Sequence, residues 1–502
     1  MGIIAKQSIQ GTIATYVGVA VGFVTTFFVS TRFLAPEDIG LVRVMIDAAT
    51  LFISLAQLGT SASIIRFYPY FRTADDTPND EHGFFFWTML VPLFGFIGIG
   101  ALFIACHEPL SAWFGEKSPA FVHYYYFVLP LAFAMLYQAV FETNANVRMH
   151  IVVPRIVREL FTRLGLLACY LLYAFNLLTT DGFLIGIIVV YVLAAMLNGI
   201  YLFSLGNISL KPDLGFLRRH PDMVHKYLRY TGFLIISAVT SALVPTLSSF
   251  FVTAQMGLEY TGIYSIATYI AIMVSIPYRS VGAIASPQLA ASLKDNQREQ
   301  TTRLVQQVST TLMIIGEAIL LIIWVNIDLI FHLLPNGSIY AAGRNVVLFL
   351  GISQLITATF QVTVTTLNYS RFYAISLLLS FLLTAVSLYL NNRLIPIWGM
   401  DGAAIATLAS QALYSLLTIA VVRFVPGISV VSRQWWMALG IFVAVMVLNM
   451  LCLRFLPISN IWFSSIVRSA VLLLPAAWLI YRLELSPEIN HEILHRLRLP
   501  RH

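Results

Sequence analysis

Leu34-Ala-Pro-Glu37-Asp-Ile-Gly40-Leu41 returns about 220 residues later as Met256-Gly-Leu-Glu259-Tyr-Thr-Gly262-Ile263. At nearly the same spacing, Asp181-Gly182-Phe-Leu-Ile185-Gly186 returns as Asp401-Gly402-Ala-Ala-Ile405-Ala406. The first pair lies between the first and second apolar runs of each half, and the second pair opens the sixth run. An even number of apolar runs separates the copies, so equivalent loops fall on the same side and the duplication is parallel. Two lobes of about six helices each, related by an axis along the membrane normal, form a transporter architecture with substrate held between the lobes. The competing reading is chance recurrence of short Glu/Gly and Asp/Gly pairs.

The background against which the repeat stands out is lipid-like. Of 502 residues, 59% are hydrophobic and 11% charged, and the mean hydropathy is +0.82, values foreign to a soluble globular chain. A crossing of the hydrocarbon core takes about 20 apolar residues, so about fourteen crossings account for most of the chain and leave no room for a large soluble domain. The net charge of +7 sits in short loops and reads as a topology signal rather than a nucleic-acid surface. Cys106, Cys169 and Cys452 lack CxxC spacing and suggest neither disulfide framework nor metal cage.

Apolar runs at 8–34, 37–68, 82–105, 120–141, 153–175 and 181–205 predict an N-terminal six-helix lobe over 1–206. A basic connection follows at 207–230. Runs at 231–252, 259–283, 301–324, 344–367, 370–390 and 401–422 predict a second six-helix lobe over 231–424. Runs at 435–455 and 461–480 predict two extra helices within 425–482, and 483–502 form a basic tail. Lys6, Arg72, Arg148, Arg155, Lys211, Arg218, Arg219, Lys226, Lys294, Arg298, Arg371, Arg433 and the tail fall on one side, against Arg32, Lys117, Arg344, Arg393 and Arg454 on the other. By the positive-inside rule the first side is the cytoplasm, and both termini are expected there. The fold class is an all-α membrane protein of about 14 transmembrane helices, a 6+6 repeat plus two C-terminal helices.

The opening Lys6-Gln-Ser, the hairpin Arg32-Phe-Leu-Ala-Pro-Glu-Asp-Ile-Gly-Leu-Val-Arg43, the stretch Leu55-Ala-Gln-Leu-Gly59 and Arg66-Phe-Tyr-Pro-Tyr-Phe-Arg72 resemble polysaccharide-biosynthesis flippases. These are Wzx-type members of the multidrug/oligosaccharidyl-lipid/polysaccharide (MOP) exporter superfamily. The resemblance implies a MATE-like fold in a bacterial inner membrane. It further implies flipping of undecaprenyl-diphosphate-linked oligosaccharide from the cytoplasmic to the periplasmic leaflet, for O-antigen (lipopolysaccharide), capsule or exopolysaccharide, by rocking of two lobes around a cationic cavity. Polysaccharide polymerase and glycosyltransferase machinery are the expected partners beside the bilayer, and no nucleic acid is implied.

A charge at the centre of a membrane helix costs on the order of 3 kcal/mol on insertion scales, so such groups should face a partner or a wet cavity. Arginine suits a diphosphate, because its planar fork donates bidentately and keeps its charge when desolvated. The candidate cavity cations are Arg43, Arg279, Arg163 and Arg66. Arg43 has Asp47 at i+4 and reads either as a self-neutralised pair or as a substrate cation. Arg163 has Glu159 four residues before it, the arrangement of a structural bridge. Arg66 reads alternatively as an interfacial anchor. Arg279 lacks a local partner and follows Pro277 toward the end of its run. Glu317 is the carboxylate well inside its apolar run and is the candidate coupling residue, or else a neutral acid bonded to a neighbouring helix. Glu142 reads as a rim residue and Arg468 as a charge outside the duplicated core. Pro245 is the candidate hinge. No cofactor or metal is expected; H+, Na+ or the membrane potential is the expected driving force.

Tyr124, Tyr125 and Tyr126 read as interfacial aromatics or as sugar-stacking platforms. His491-Glu492-Ile-Leu-His495 fits the HExxH spacing of a zinc site, with His502 as a third nitrogen, but in a basic amphipathic tail it reads as an interfacial helix. Two other classes compete. A cation-coupled MATE-type drug exporter would hold carboxylates in its cavity, yet the first run has none between Ser8 and Phe33. A membrane enzyme such as a glycan polymerase needs a large outer loop, and the stretch around 107–119 is too short for one.

Overall fold

The computed structural model describes residues 3–71, 81–206, 208, 210–213, 243–295, 297–370, 372–455 and 460–485. All secondary structure among them is helical. Among the described residues, eleven helices are long and apolar enough to cross a bilayer, and the chain is a multi-pass membrane protein. Most of the basic connection 207–230, the start of the seventh run, and the HExxH-like tail lie outside the described residues.

The backbone separates into two compact units, Met1–Gly262 and Ile263–His502. In the first, α1 (Ile3–Val24) continues through a π-helical turn, Thr25–Ser30. Hydroxyls that would be stranded in lipid bond back to the helix: Thr25 to the Val21 carbonyl at 2.8 Å, Ser30 to Thr26 at 2.6 Å, and Thr31 to Phe27 at 2.6 Å. α2 (Pro36–Ala56) opens with Pro36, whose missing N–H costs nothing in the first turn, and carries Glu37 and Asp38 at its positive dipole end. The second apolar run was expected as one helix to Tyr68; the structure breaks it. Leu58 and Gly59 take positive φ, 47° and 67°, and α3 (Thr60–Phe71) starts afresh. Then come α4 (Phe84–Ala105), α5 (Val128–Val147), α6 (Thr162–Ala174), α7 (Thr180–Ser204) and the apolar α8 (Leu243–Met256). A five-residue π turn, Val157–Phe161, leads into α6.

Helix α9 (Leu258–Ile272) crosses the unit boundary, and a single 3₁₀ turn joins it to α10 (Ile276–Lys294). The second unit continues with α11 (Arg298–Val325), α12 (Arg344–Tyr369), α13 (Tyr373–Phe424), α14 (Arg433–Phe455) and α15 (Ile461–Arg468), the last extended to Arg482 through a π turn. A continuous helix of 52 residues would measure about 78 Å against a hydrocarbon core of about 30 Å. It is two spans: Gly399, at φ 58° and ψ −134°, interrupts it between the two runs read from the sequence. That geometry is nearly closed to any residue with a Cβ.

The linker from α13 to α14 is strapped along α11. Arg298 donates to the Gly427 carbonyl at 2.9 and 2.6 Å, Ser309 to Val430 at 3.1 Å, and Gln306 to Val431 at 3.4 Å. Irregular backbone is tolerated in such a protein where side chains satisfy its carbonyls.

Candidate functional site

The expected charges fall into separate groups. On α2, Arg43 Nε lies 2.9 Å from Asp47 Oδ2, with both side chains largely buried. The i+4 spacing places the pair on one helix face, so each group offsets the desolvation of the other.

A second group joins α1, α5, α6 and the π turn before α6. Arg163 Nη2 lies 3.1 Å from Glu159 Oε2, while its Nη1 donates to the Gly18 carbonyl of α1 at 2.9 Å. Glu159 also pairs with Arg158 at 3.2 Å, and Arg158 reaches Glu142 of α5 at 2.6 Å. The result is an alternating chain of acid and base across three helices. It depends on small residues in α1: a Cβ on Gly18 would sit 2.2 Å from the Glu159 carbonyl oxygen, and one on Gly22 would sit 2.6 Å from Arg163 Nη1. Gly18 and Gly22 form the small-xxx-small spacing that lets helix backbones approach in a membrane. Arg158 escaped the sequence reading, because its partner Glu142 is remote in sequence and no local spacing announces the contact.

Arg66 is exposed on α3, with its guanidinium 5.8 Å from the Phe67 ring. Arg279 is exposed on α10 and makes no ion pair or hydrogen bond to any described residue. Glu317 is 2% exposed on α11, and its Oε1 is buried with no hydrogen-bond partner among the described residues. Pro245 is the third described residue of α8 and is exposed. Arg468, on the helices outside the duplicated core, is buried; it donates to the Ser464 carbonyl at 3.3 Å and lies 3.9 Å from Asp328, which Arg344 approaches to 2.9 Å.

Of the three tyrosines, Tyr125 is buried, donates to the Phe103 carbonyl at 2.7 Å and stacks on the Phe103 ring at 4.1 Å. Tyr124 donates to Asp181, and Tyr126, the exposed member, stacks on His107 at 5.2 Å. Tyr124 and Tyr125 thus spend their polar ends inside the protein. Another ion pair missed in sequence fastens the stretch before α4: Arg148 pairs with Glu81, which also accepts from Tyr68 at 3.0 Å.

With this geometry in hand, comparison places the chain. Residues 4–290 match the family model described as polysaccharide biosynthesis protein. The chain belongs to that family. The fold of this polysaccharide biosynthesis protein is similar to a solved structure described as lipid II flippase MurJ in an inward closed conformation, with TM-score 0.70 and 12% identity over 94% of this chain and 99% of that one. It is also similar to an inward-facing multidrug resistance MATE family transporter of the MOP superfamily, TM-score 0.62 and 13% identity over 82% and 98%. A MOP superfamily transporter from Pyrococcus furiosus gives TM-score 0.55 and 13% identity over 83% and 94%. No curated protein matches the chain. At such identities the likeness concerns the fold, which is that of MOP transporters.

Proposed function

We propose that this polysaccharide biosynthesis protein is a Wzx-type flippase. It carries undecaprenyl-diphosphate-linked oligosaccharide from the cytoplasmic to the periplasmic leaflet of a bacterial inner membrane, for O-antigen, capsule or exopolysaccharide, with both termini in the cytoplasm. The observation that carries the reading is family membership in polysaccharide biosynthesis on a chain built of membrane helices: a polysaccharide pathway gives such a fold a lipid-linked glycan to move. The fold's likeness to a protein described as a lipid II flippase agrees with it. Chemically, the headgroup is a diphosphate, and Arg279, exposed on α10 and bonded to no other described residue, is the proposed cation to receive it. Arg43, Arg163 and Arg66 are the supporting cations; the first two would exchange a carboxylate for phosphate on binding. Glu317 is the proposed proton-coupling residue, and Pro245 the proposed hinge. Polymerase and glycosyltransferases are the proposed functional partners.

The alternative is a cation-coupled MATE-type drug exporter, favoured by the fold likeness to a multidrug resistance MATE transporter and by the buried carboxylate of Glu317. Deletion of the gene decides between them. The flippase reading expects cytoplasmic-facing lipid-linked glycan to accumulate and surface polysaccharide to fall. Unchanged glycan with altered drug tolerance overturns it in favour of the exporter.

A further inference from the structure

Helix α11 has 28 residues, about 42 Å at 1.5 Å per residue, and outruns a hydrocarbon core of about 30 Å. Its first turns carry Arg298, Glu299, Gln300, Arg303, Gln306 and Gln307, so this is the end that stands clear of the lipid. Two adjoining cavities open there, wholly within the second unit. One of about 440 Å³ lies between α10 and α11 and is lined by Gln288, Asp295, Gln297, Gln300, Arg303 and Gln307. The other, about 570 Å³, is an open groove along the start of α11 lined by Gln297, Arg298, Glu299, Gln300 and Arg303. Both volumes fall in the range of small-molecule sites, about 300–1,000 Å³.

Four polar side chains of the lining bond to no other described residue. Gln300, Arg303 and Gln307 follow i, i+3, i+7 spacing and form one stripe of α11, while Val305, Val308 and Ser309 on the other side of the helix are buried. Gln288 reaches the same cavity from α10. The neighbouring Gln306 and Arg298 are occupied with the α13–α14 linker, whereas the side chains of Gln288, Gln300, Arg303 and Gln307 bond to no described residue. Each amide offers two donors and an acceptor, matching the mixed donor and acceptor character of neighbouring hydroxyls. Two acids, Asp295 and Glu299, and two bases, Arg298 and Arg303, leave the combined lining near neutrality. A phosphate site would gather uncommitted arginines, whereas Arg298 is held by the Gly427 carbonyl and each arginine has an acid beside it in the lining; a lipid-tail site would be apolar. What fits is an uncharged polyol extended over more than one cavity.

Resting on the flippase reading, we infer that this cleft holds the glycan of the lipid-linked substrate, a subsite for sugar hydroxyls separate from the cations that meet the diphosphate. The full-length protein in lipid nanodiscs tests it with two probes: undecaprenyl diphosphate without sugar, and lipid-linked glycan extracted from the strain deleted for this gene. The parent protein should bind both, the glycan-bearing lipid more tightly. Gln300→Ala/Gln307→Ala, and separately Gln288→Ala, should weaken binding of the glycan-bearing lipid by about tenfold and about threefold, as expected for lost hydrogen bonds. Binding of undecaprenyl diphosphate and the melting temperature should not change, since these side chains bond to nothing else described. If the variants bind both lipids as the parent does, or if the glycan adds no affinity in the parent, the subsite is refuted while the flippase reading stands. If the parent binds neither lipid, the flippase reading falls and takes the subsite with it.

Discussion

Gly40 and Gly262 stand in reciprocal contact within the first unit. A Cβ on Gly40 would lie 2.0 Å from the Leu258 carbonyl oxygen, and a Cβ on Gly262 would lie 2.0 Å from the carbonyl oxygen of Pro36. Pro36 and Leu258 are equivalent in the sequence repeat, as are the two glycines, so the same backbone contact is made from both sides. The repeat aspartates Asp181 and Asp401 both accept hydrogen bonds, from Tyr124 and from Asn345, the latter at 3.0 Å.

Alanine at either glycine should therefore force the backbones of α2 and α9 apart. We expect Gly40→Ala and Gly262→Ala each to destabilise the protein by about 1–3 kcal/mol, the usual range for overpacking. The double variant should lose less than the two losses added, because one displacement relieves both clashes. Melting of the detergent-purified proteins checks this; full additivity would mean the two contacts are independent.

The Arg43–Asp47 pair separates structural from substrate roles. Arg43→Ala leaves Asp47 buried without that partner, and removal of one member of such a pair costs about 3–5 kcal/mol. Arg43→Ala/Asp47→Ala should regain most of that stability. If Arg43 meets the diphosphate, the double variant melts near the parent value but fails to complement a deletion strain. A double variant that restores surface polysaccharide assigns the pair to the scaffold. Arg468→Ala should reduce stability through its lost contacts to Ser464 and Asp328 and leave flipping per folded molecule unchanged.

How much of this was legible in the sequence follows from the range of each signal. Spans were readable because lipid demands long apolar runs, and Arg43–Asp47 and Arg163–Glu159 because one helical turn separates the partners. The interruption at Leu58 was not, since a leucine gives no warning of a left-handed conformation and only Gly59 beside it hints at one. Arg158–Glu142 was hidden because folding, not spacing, brings the π turn before α6 against α5. The glutamines of the α10–α11 cleft carry no local motif in the sequence; their shared stripe emerges only once α11 is seen to begin at Arg298.

Arg279 is held by nothing described, so its loss should not touch stability: Arg279→Ala is expected to melt within about 0.5 kcal/mol of the parent, as surface substitutions do. Its affinity for undecaprenyl diphosphate should fall by about tenfold or more, the loss of a charge-assisted hydrogen bond. Arg279→Lys should recover part of it, because an ammonium keeps the charge and loses the fork. Equal affinity in all three proteins would remove Arg279 from the headgroup site.

Glu317 offers the test of the driving force. Its carboxyl is enclosed in the second unit with one oxygen that has no hydrogen-bond partner among the described residues, and a charge buried inside a membrane protein calls for an accompanying cation or proton. Glu317→Gln is nearly isosteric and cannot exchange a proton, so the fold should be kept and melting should not fall. In proteoliposomes the parent should flip lipid-linked glycan faster under an imposed proton gradient than without one. The Gln variant should show a single rate in both conditions, near that of the parent without a gradient. A variant that still responds to the gradient like the parent would place proton coupling elsewhere, and a parent that responds only to Na+ or to membrane potential would exclude protons as the driving ion.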